Sequence, residues 1–284
     1  MLQELQNLAL SFWTATPVKL WIIFVLIGLA VELFIRAEKN QPWRNIWFNI
    51  RYSAVYLAVI FVAAPTMNLV VNRISQALGA GWIDLDIFSG GYLQQIAAAA
   101  LYFIIVDFFY YWYHRSQHSF GWLWQQHALH HSEESLNAST ATRHHWLEFF
   151  FQIFVIVLPM TILFKLTPVS VWIISMVGAG WTWVIHLNAR VHLGPLARVI
   201  VGPQGHRIHH SIEAQHQDKN FAAYFAFWDV LFGTYHHSAR NEYPATGLAS
   251  GEKILSVTEA SVYPFRKWIE MFRARRASTE PSPS

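Results

Sequence analysis

The sequence predicts an all-α integral membrane protein: a helical bundle carrying a cytosolic, histidine-rich helical cap. Three observations lead there. Of 284 residues, 54% are hydrophobic and only 13% charged, and the mean hydropathy is +0.26, values outside the soluble norm. The apolar residues gather into runs of about 18 to 20, the length at which a helix crosses roughly 30 Å of hydrocarbon. Finally, eight histidines fall into three short clusters, HRSQH (His114, His118), HALHH (His127, His130, His131) and HRIHH (His206, His209, His210).

The first apolar run covers residues 19–36, with Glu32 near its charged end. A second covers 52–71 and carries Pro65, and a third, 94–113, leads straight into HRSQH. Two more, 147–164 and 169–187, are joined by only a few residues at 165–168, which predicts a helical hairpin. No basic n-region precedes the first run and no small-residue cleavage site clearly follows it, so no cleavable signal peptide is expected. Residues 1–93 read as N-terminal spans, 94–240 as the region that carries the histidine clusters, a span and the hairpin, and 241–284 as a cytosolic segment. Within the last, FRKWIEMFRARR suits an interfacial amphipathic helix and RRASTEPSPS a disordered tail.

Lys and Arg set the expected orientation. Residues 1–18 hold none and the connection 73–93 only Arg73, whereas 36–51 hold Arg36, Lys39, Arg44 and Arg51. The positive-inside rule places 37–51 in the cytoplasm, and with them all three histidine clusters and the C-terminal tail. The formal charge of +3 is small, and its basic residues sit at the ends of apolar runs, which fits a membrane surface and not nucleic acid.

With no cysteine, metal chemistry must rest on histidine, carboxylate and water. Residues three and four apart share a helix face, so each cluster can aim two imidazoles at one spot. Eight exceed what one tetrahedral ion needs, and two metals are the better reading; adjacent pairs such as His130 and His131 would divide between neighbouring ions. Asp107 lies two helical turns before His114, on the same face. A carboxylate in a span needs a partner: either the outer N–H of a ligating histidine, the favoured reading, or Arg115 or Arg143. Glu133, Glu134, Glu148 and Glu213 lie near the clusters, and none is singled out. Tyr110 to Tyr113 read as an interfacial aromatic belt. His216, His236 and His237 are expected to titrate in solvent, and His192 is unassigned.

The clusters and the residues between them, from DFFYYWYHRSQH through HALHHSEESLNASTATR, VIHLN, LGPL, HRIHH and DKNF to WDVLFGT, resemble the fatty acid hydroxylase and sterol desaturase superfamily of membrane di-iron oxygenases. The likeness is to the branch that includes alkylglycerol monooxygenase, and it spans residues 107–234. It implies that the eight cluster histidines are metal ligands and that His186, in VIHLN, completes the set. His145, in TRHHWLE, matches a position often histidine in bacterial relatives, which implies a pocket or outer-shell role for it and not for His144. Trp228, Asp229, Phe232, Gly233 and Thr234 recur in the family and are expected to pack the cap.

The resemblance implies two iron ions, with zinc able to replace them in recombinant material, and O2-dependent hydroxylation of a lipid or sterol-like substrate held in an apolar channel. Reducing equivalents would come from a redox partner or a diffusible reductant such as a pterin. A lipid desaturase on the same centre is the nearest alternative. A membrane zinc hydrolase is the non-oxygenase alternative, but HExxH is absent; metal transport would need polar residues in several spans.

Overall fold

A computed structural model describes residues 15–85 and 90–279, together with Asn7, Ser11 and Phe12. The first apolar run forms α1, Thr16–Ile35, opened by a proline in its first turn. Two features seat α1 against the histidine-bearing end. A Cβ on Gly28 would lie 2.4 Å from the Ala138 side chain, so only glycine permits this approach. Glu32 is buried, and its carboxylate accepts the backbone N–H groups of Ala138 (2.7 Å) and Asn188 (2.9 Å).

Helix α2, Trp43–Ala77, keeps Pro65 inside it and at 35 residues exceeds one crossing. Its first turns belong to the cap: Phe48 and Tyr52 pack with Leu129, Ile254 and Tyr263. More than half of the expected 37–51 connection, from Trp43 on, is therefore helical. At the far end, β1 (Ile83–Asp84) pairs in parallel with β2 (Phe164–Lys165), clasping the end of α2 to the hairpin turn.

Helix α3, Tyr92–Ser119, crosses and runs unbroken into the first histidine cluster. Helix α4, Gly121–His131, carries the second, and a 3-10 turn follows at Ala138–Thr142. The fourth crossing, Trp146–Leu163, is α5 (Trp146–Gln152), a π-helical turn (Ile153–Val157) and α6 (Leu158–Leu163). Pro159 lacks the N–H that would close the regular ladder there, which accommodates the wider turn. Helix α7, Pro168–His186, returns to complete the expected hairpin. Among the described residues four helices are long and apolar enough to cross a membrane; the apolar part of α7, Ser170–His186, is shorter.

The cap adds α8 (Pro203–His209), α9 (Phe227–Phe232) and α10 (Val257–Thr279). Gly233 ends α9 at φ 75°, the left-handed position glycine adopts most readily. Helix α10 runs through residues 275–279, expected to be disordered, because its apolar and paired charged residues sustain a helical face; residues 280–284 lie outside the described residues. It is docked by Tyr263 in the cap core and by the Trp268 indole N–H donating to the Trp122 carbonyl at 2.7 Å.

Arg143 ties these pieces together. It is fully buried and donates to Asn49 Oδ1 on α2, the Leu129 carbonyl on α4, Ser132 Oγ and the Ile254 carbonyl, with Glu133 as its counter-ion at 3.3 Å. One side chain thus locks a membrane helix, the HALHH helix and the C-terminal segment.

Candidate metal centre

The nine expected histidines converge in two groups. His114, His118, His127, His131 and His209 form one, and His130, His186, His206 and His210 the other, the ligand atoms of each group lying within 4.8 Å of one another. Each i,i+4 pair stays together, and each adjacent pair is divided, His130 from His131 and His209 from His210, as helical periodicity dictates. The groups adjoin: the rings of His131 and His210 stack at 4.4 Å.

Within the groups the ring nitrogens lie close together. Nε2 to Nε2 separations are 3.0 Å for His114 and His127, 3.2 Å for His118 and His131, and 3.3 Å for His130 and His186. For His186 and His206 the value is 2.9 Å, and for His206 and His210 it is 3.1 Å. Nitrogens about 2.1 Å from one shared ion sit about 3.0 to 3.4 Å apart between octahedral and tetrahedral limits, so the spacing fits ligands around a common cation.

The outer ring nitrogens are held as such ligands require. Nδ1–H of His114 donates to the Phe221 carbonyl (2.6 Å), that of His186 to Thr182 (2.6 Å) and that of His209 to Lys219 (2.8 Å). Each leaves its Nε2 lone pair facing inward, and that of His209 is buried without a hydrogen-bond partner. Burial first, then neighbouring imidazoles, keep His130, His131, His206, His209 and His210 well below the ordinary imidazole range, hence neutral. A buried, neutral, nitrogen-rich donor set fits first-row transition metals.

Three expectations need correction. Asp107 touches neither a histidine nor an arginine. Its carboxylate accepts the backbone N–H groups of Ala223 (2.8 Å), Tyr224 (3.2 Å) and Phe225 (2.7 Å), whereas Arg143 is committed to Glu133 and Arg115 donates to the Tyr111 hydroxyl. Asp107 therefore acts through the segment 221–225, whose Phe221 carbonyl orients His114.

His145 caps α5 instead of facing the centre: its Nδ1 accepts from Leu147 N–H (3.2 Å) and its Nε2–H donates to the Ser261 carbonyl (3.1 Å). The neighbour set aside, His144, is the one at the centre, stacked on His130 at 4.0 Å and 3.2 Å from Glu148. Glu148, buried, also lies 3.5 Å from His127 Nδ1 and accepts from Gln117, which singles it out among the nearby carboxylates. The i,i+4 spacing of His144 and Glu148 was a readable signal for that pair.

His216 is not in solvent. It is buried between Ser211 Oγ and Glu242 Oε1, each at 2.8 Å, with His236 3.4 Å from the same carboxylate; His237 is exposed. His192 bridges Gly194 N–H and the Ser238 carbonyl, a local loop tie.

A cavity of about 280 Å³ reaches the group of four, lined by His130, His186 and His206 and by the apolar side chains of Val106, Ile156 and Ile185. A smaller one, about 170 Å³, reaches His118, His131 and His209 from the cap side.

Residues 99–234 match the fatty acid hydroxylase family. The ornithine lipid hydroxylase OlsE of Rhizobium tropici is 34% identical over 127 residues, 45% of this chain and 38% of that protein. Alkylglycerol monooxygenase of Homo sapiens is 35% identical over 136 residues, 48% of this chain and 29% of that protein. That of Caenorhabditis elegans is 31% identical over 139 residues, 49% and 27% respectively. Each match thus covers well under half of the relative's length. No solved structure matches the chain. The matched residues contain all nine histidines of the two groups.

Proposed function

We propose that this chain, whose residues 99–234 form a fatty acid hydroxylase domain, is a membrane-bound oxygenase that hydroxylates a lipid. The observation that carries the reading is the pair of adjoining all-histidine groups, one of which lines a cavity together with apolar residues of the helices. His114, His118, His127, His131 and His209 would hold one iron ion, and His130, His186, His206 and His210 the other. Bound iron would supply the O2 chemistry and the oxidation of an unactivated C–H bond, with electrons from a redox partner or a diffusible reductant.

The protein's own contribution is position and exclusion. Phe221, Thr182 and Lys219 carbonyls fix three imidazoles in their ligating tautomers. Glu148 and His144 brace His127 and His130 from behind. Val106, Ile156 and Ile185 give an alkyl chain an apolar wall against the group of four. The names of the relatives, an ornithine lipid hydroxylase and alkylglycerol monooxygenases, support a membrane lipid as substrate. The face carrying the histidines is proposed to be cytoplasmic, on the charge argument above.

Metal analysis tests the reading. Protein purified anaerobically with iron should carry two ions per chain, and His206→Ala or His131→Ala should each lower that content and remove turnover. Full metal content and turnover in either variant would contradict the ligand assignment, since ligands are not dispensable in that way.

A further inference from the structure

We propose that the groove between α1, α2 and α7 is the site where one alkyl or acyl chain of a bilayer lipid enters, with Thr142 as the latch between groove and metal-side cavity. The inference rests on the lipid hydroxylase reading and deepens it. The groove measures about 530 Å³ and is walled by Trp21, Phe24, Leu57, Trp172 and Trp183. Two of its walls, α1 and α2, are long and apolar enough to cross a membrane and the third, α7, is a shorter apolar helix beside them, so hydrocarbon chains are the medium that would bathe it. Apart from Thr142, Ser175 and the tryptophan indole N–H groups its lining is apolar, and Ser175 satisfies its own hydroxyl on the Val171 carbonyl, so the groove suits a hydrocarbon chain better than a polar ligand.

The groove lies back to back with the inner cavity, and that adjacency identifies the occupant. The partition is one residue thick at three places. Tyr56 lines the inner cavity and Leu57 the groove; Ala141 lines the inner cavity and Thr142 the groove; Thr182 and Ile185 line the inner cavity while Trp183 between them lines the groove. The inner side of this partition also carries His130, His186 and His206. A chain that threads the partition at Ala141 and Thr142 therefore arrives at the proposed metal ligands, and a slender, flexible chain is what such small residues admit.

The latch is a hydrogen-bonded junction. Thr142 Oγ1 accepts from the Trp21 indole N–H at 3.0 Å and lies 2.6 Å from Ser53 Oγ, so one hydroxyl joins α1, α2 and the 3-10 turn. Turning the Trp21 indole away would give up that one hydrogen bond, at the point where Thr142 faces the groove and Ala141 the inner cavity.

The test uses the metal-loaded protein in membranes doped with a phospholipid bearing a diazirine at the end of one acyl chain, photolysed and mapped by mass spectrometry. Cross-links are expected on Trp21, Thr142 and the 171–183 segment. Ala179→Trp and Ser175→Trp each fill the groove from α7; both should remove these cross-links and the O2-dependent turnover while metal content stays at the wild-type level. Cross-links absent from the groove, or undiminished in both variants, would overturn the inference. Retained turnover in both filled variants would also overturn it and leave the hydroxylase reading standing. Groove cross-links in a protein that never consumes O2 would uphold the chain site and count against the hydroxylase reading alone.

Discussion

Asp107 and Asp229, from α3 and α9, divide five consecutive backbone N–H groups between them. Asp229 accepts those of Phe221 (2.7 Å) and Ala222 (3.0 Å), and Asp107 accepts those of Ala223, Tyr224 and Phe225. Segment 221–225 makes no helix or strand ladder, so these carboxylates replace one. The same segment lines the inner cavity and orients His114. Asp107→Ala would strand three buried donors, each costing about 1–3 kcal/mol. The expected result is a melting temperature lowered by many degrees and faster hydrogen exchange at residues 223–225, with Arg115→Ala much milder. An unchanged melting temperature in Asp107→Ala would refute this role.

His144 and His145 are expected to separate cleanly by function. His144→Ala removes the ring stacked on His130 and a Glu148 partner, and should lower turnover on the order of 10-fold with the fold intact. His145 should matter through stability and pH. Burial pushes its pKa down to about 4 from the 6.5 of an exposed imidazole. The unfolded chain thus takes up the proton first, and the contribution of His145 is complete above pH 6.5 and lost as pH falls toward 4. His145→Asn keeps a capping side chain that does not titrate. Its denaturation midpoint should fall less steeply between pH 6.5 and 4 than that of the wild type; parallel curves would contradict the capping role.

The absence of cysteine makes topology directly measurable. Gln76 and Ser250 are both exposed, the first at the clasped end of α2 and the second in the cap. A membrane-impermeant maleimide added from outside should label Gln76→Cys and spare Ser250→Cys until the membrane is opened. Labelling of both from one side would show that the proposed crossings do not separate them.

How much of this was legible in the sequence follows from the range of each signal. The spans could be read because about 20 apolar residues have few other uses, and the division of His127 and His131 from His130 follows from 3.6 residues per turn. The role of Asp107 was not legible, since its partners are backbone amides more than a hundred residues away, and no residue type advertises an N–H in need. His144 and His145 were exchanged because adjacent residues in an extended turn point in opposite directions, and only the start of α5 at Trp146 decides which one caps. The burial of His216 depends on Glu242, 26 positions on, in a loop without periodicity.

The central claim is that this chain inserts oxygen from O2 into a lipid. Membranes containing the iron-loaded protein, a reductant and 18O2 should yield a lipid product carrying one labelled oxygen atom, trapped as the alcohol before any aldehyde exchanges with water. An unlabelled product two hydrogens lighter, or turnover that continues under strict anaerobiosis, would contradict it.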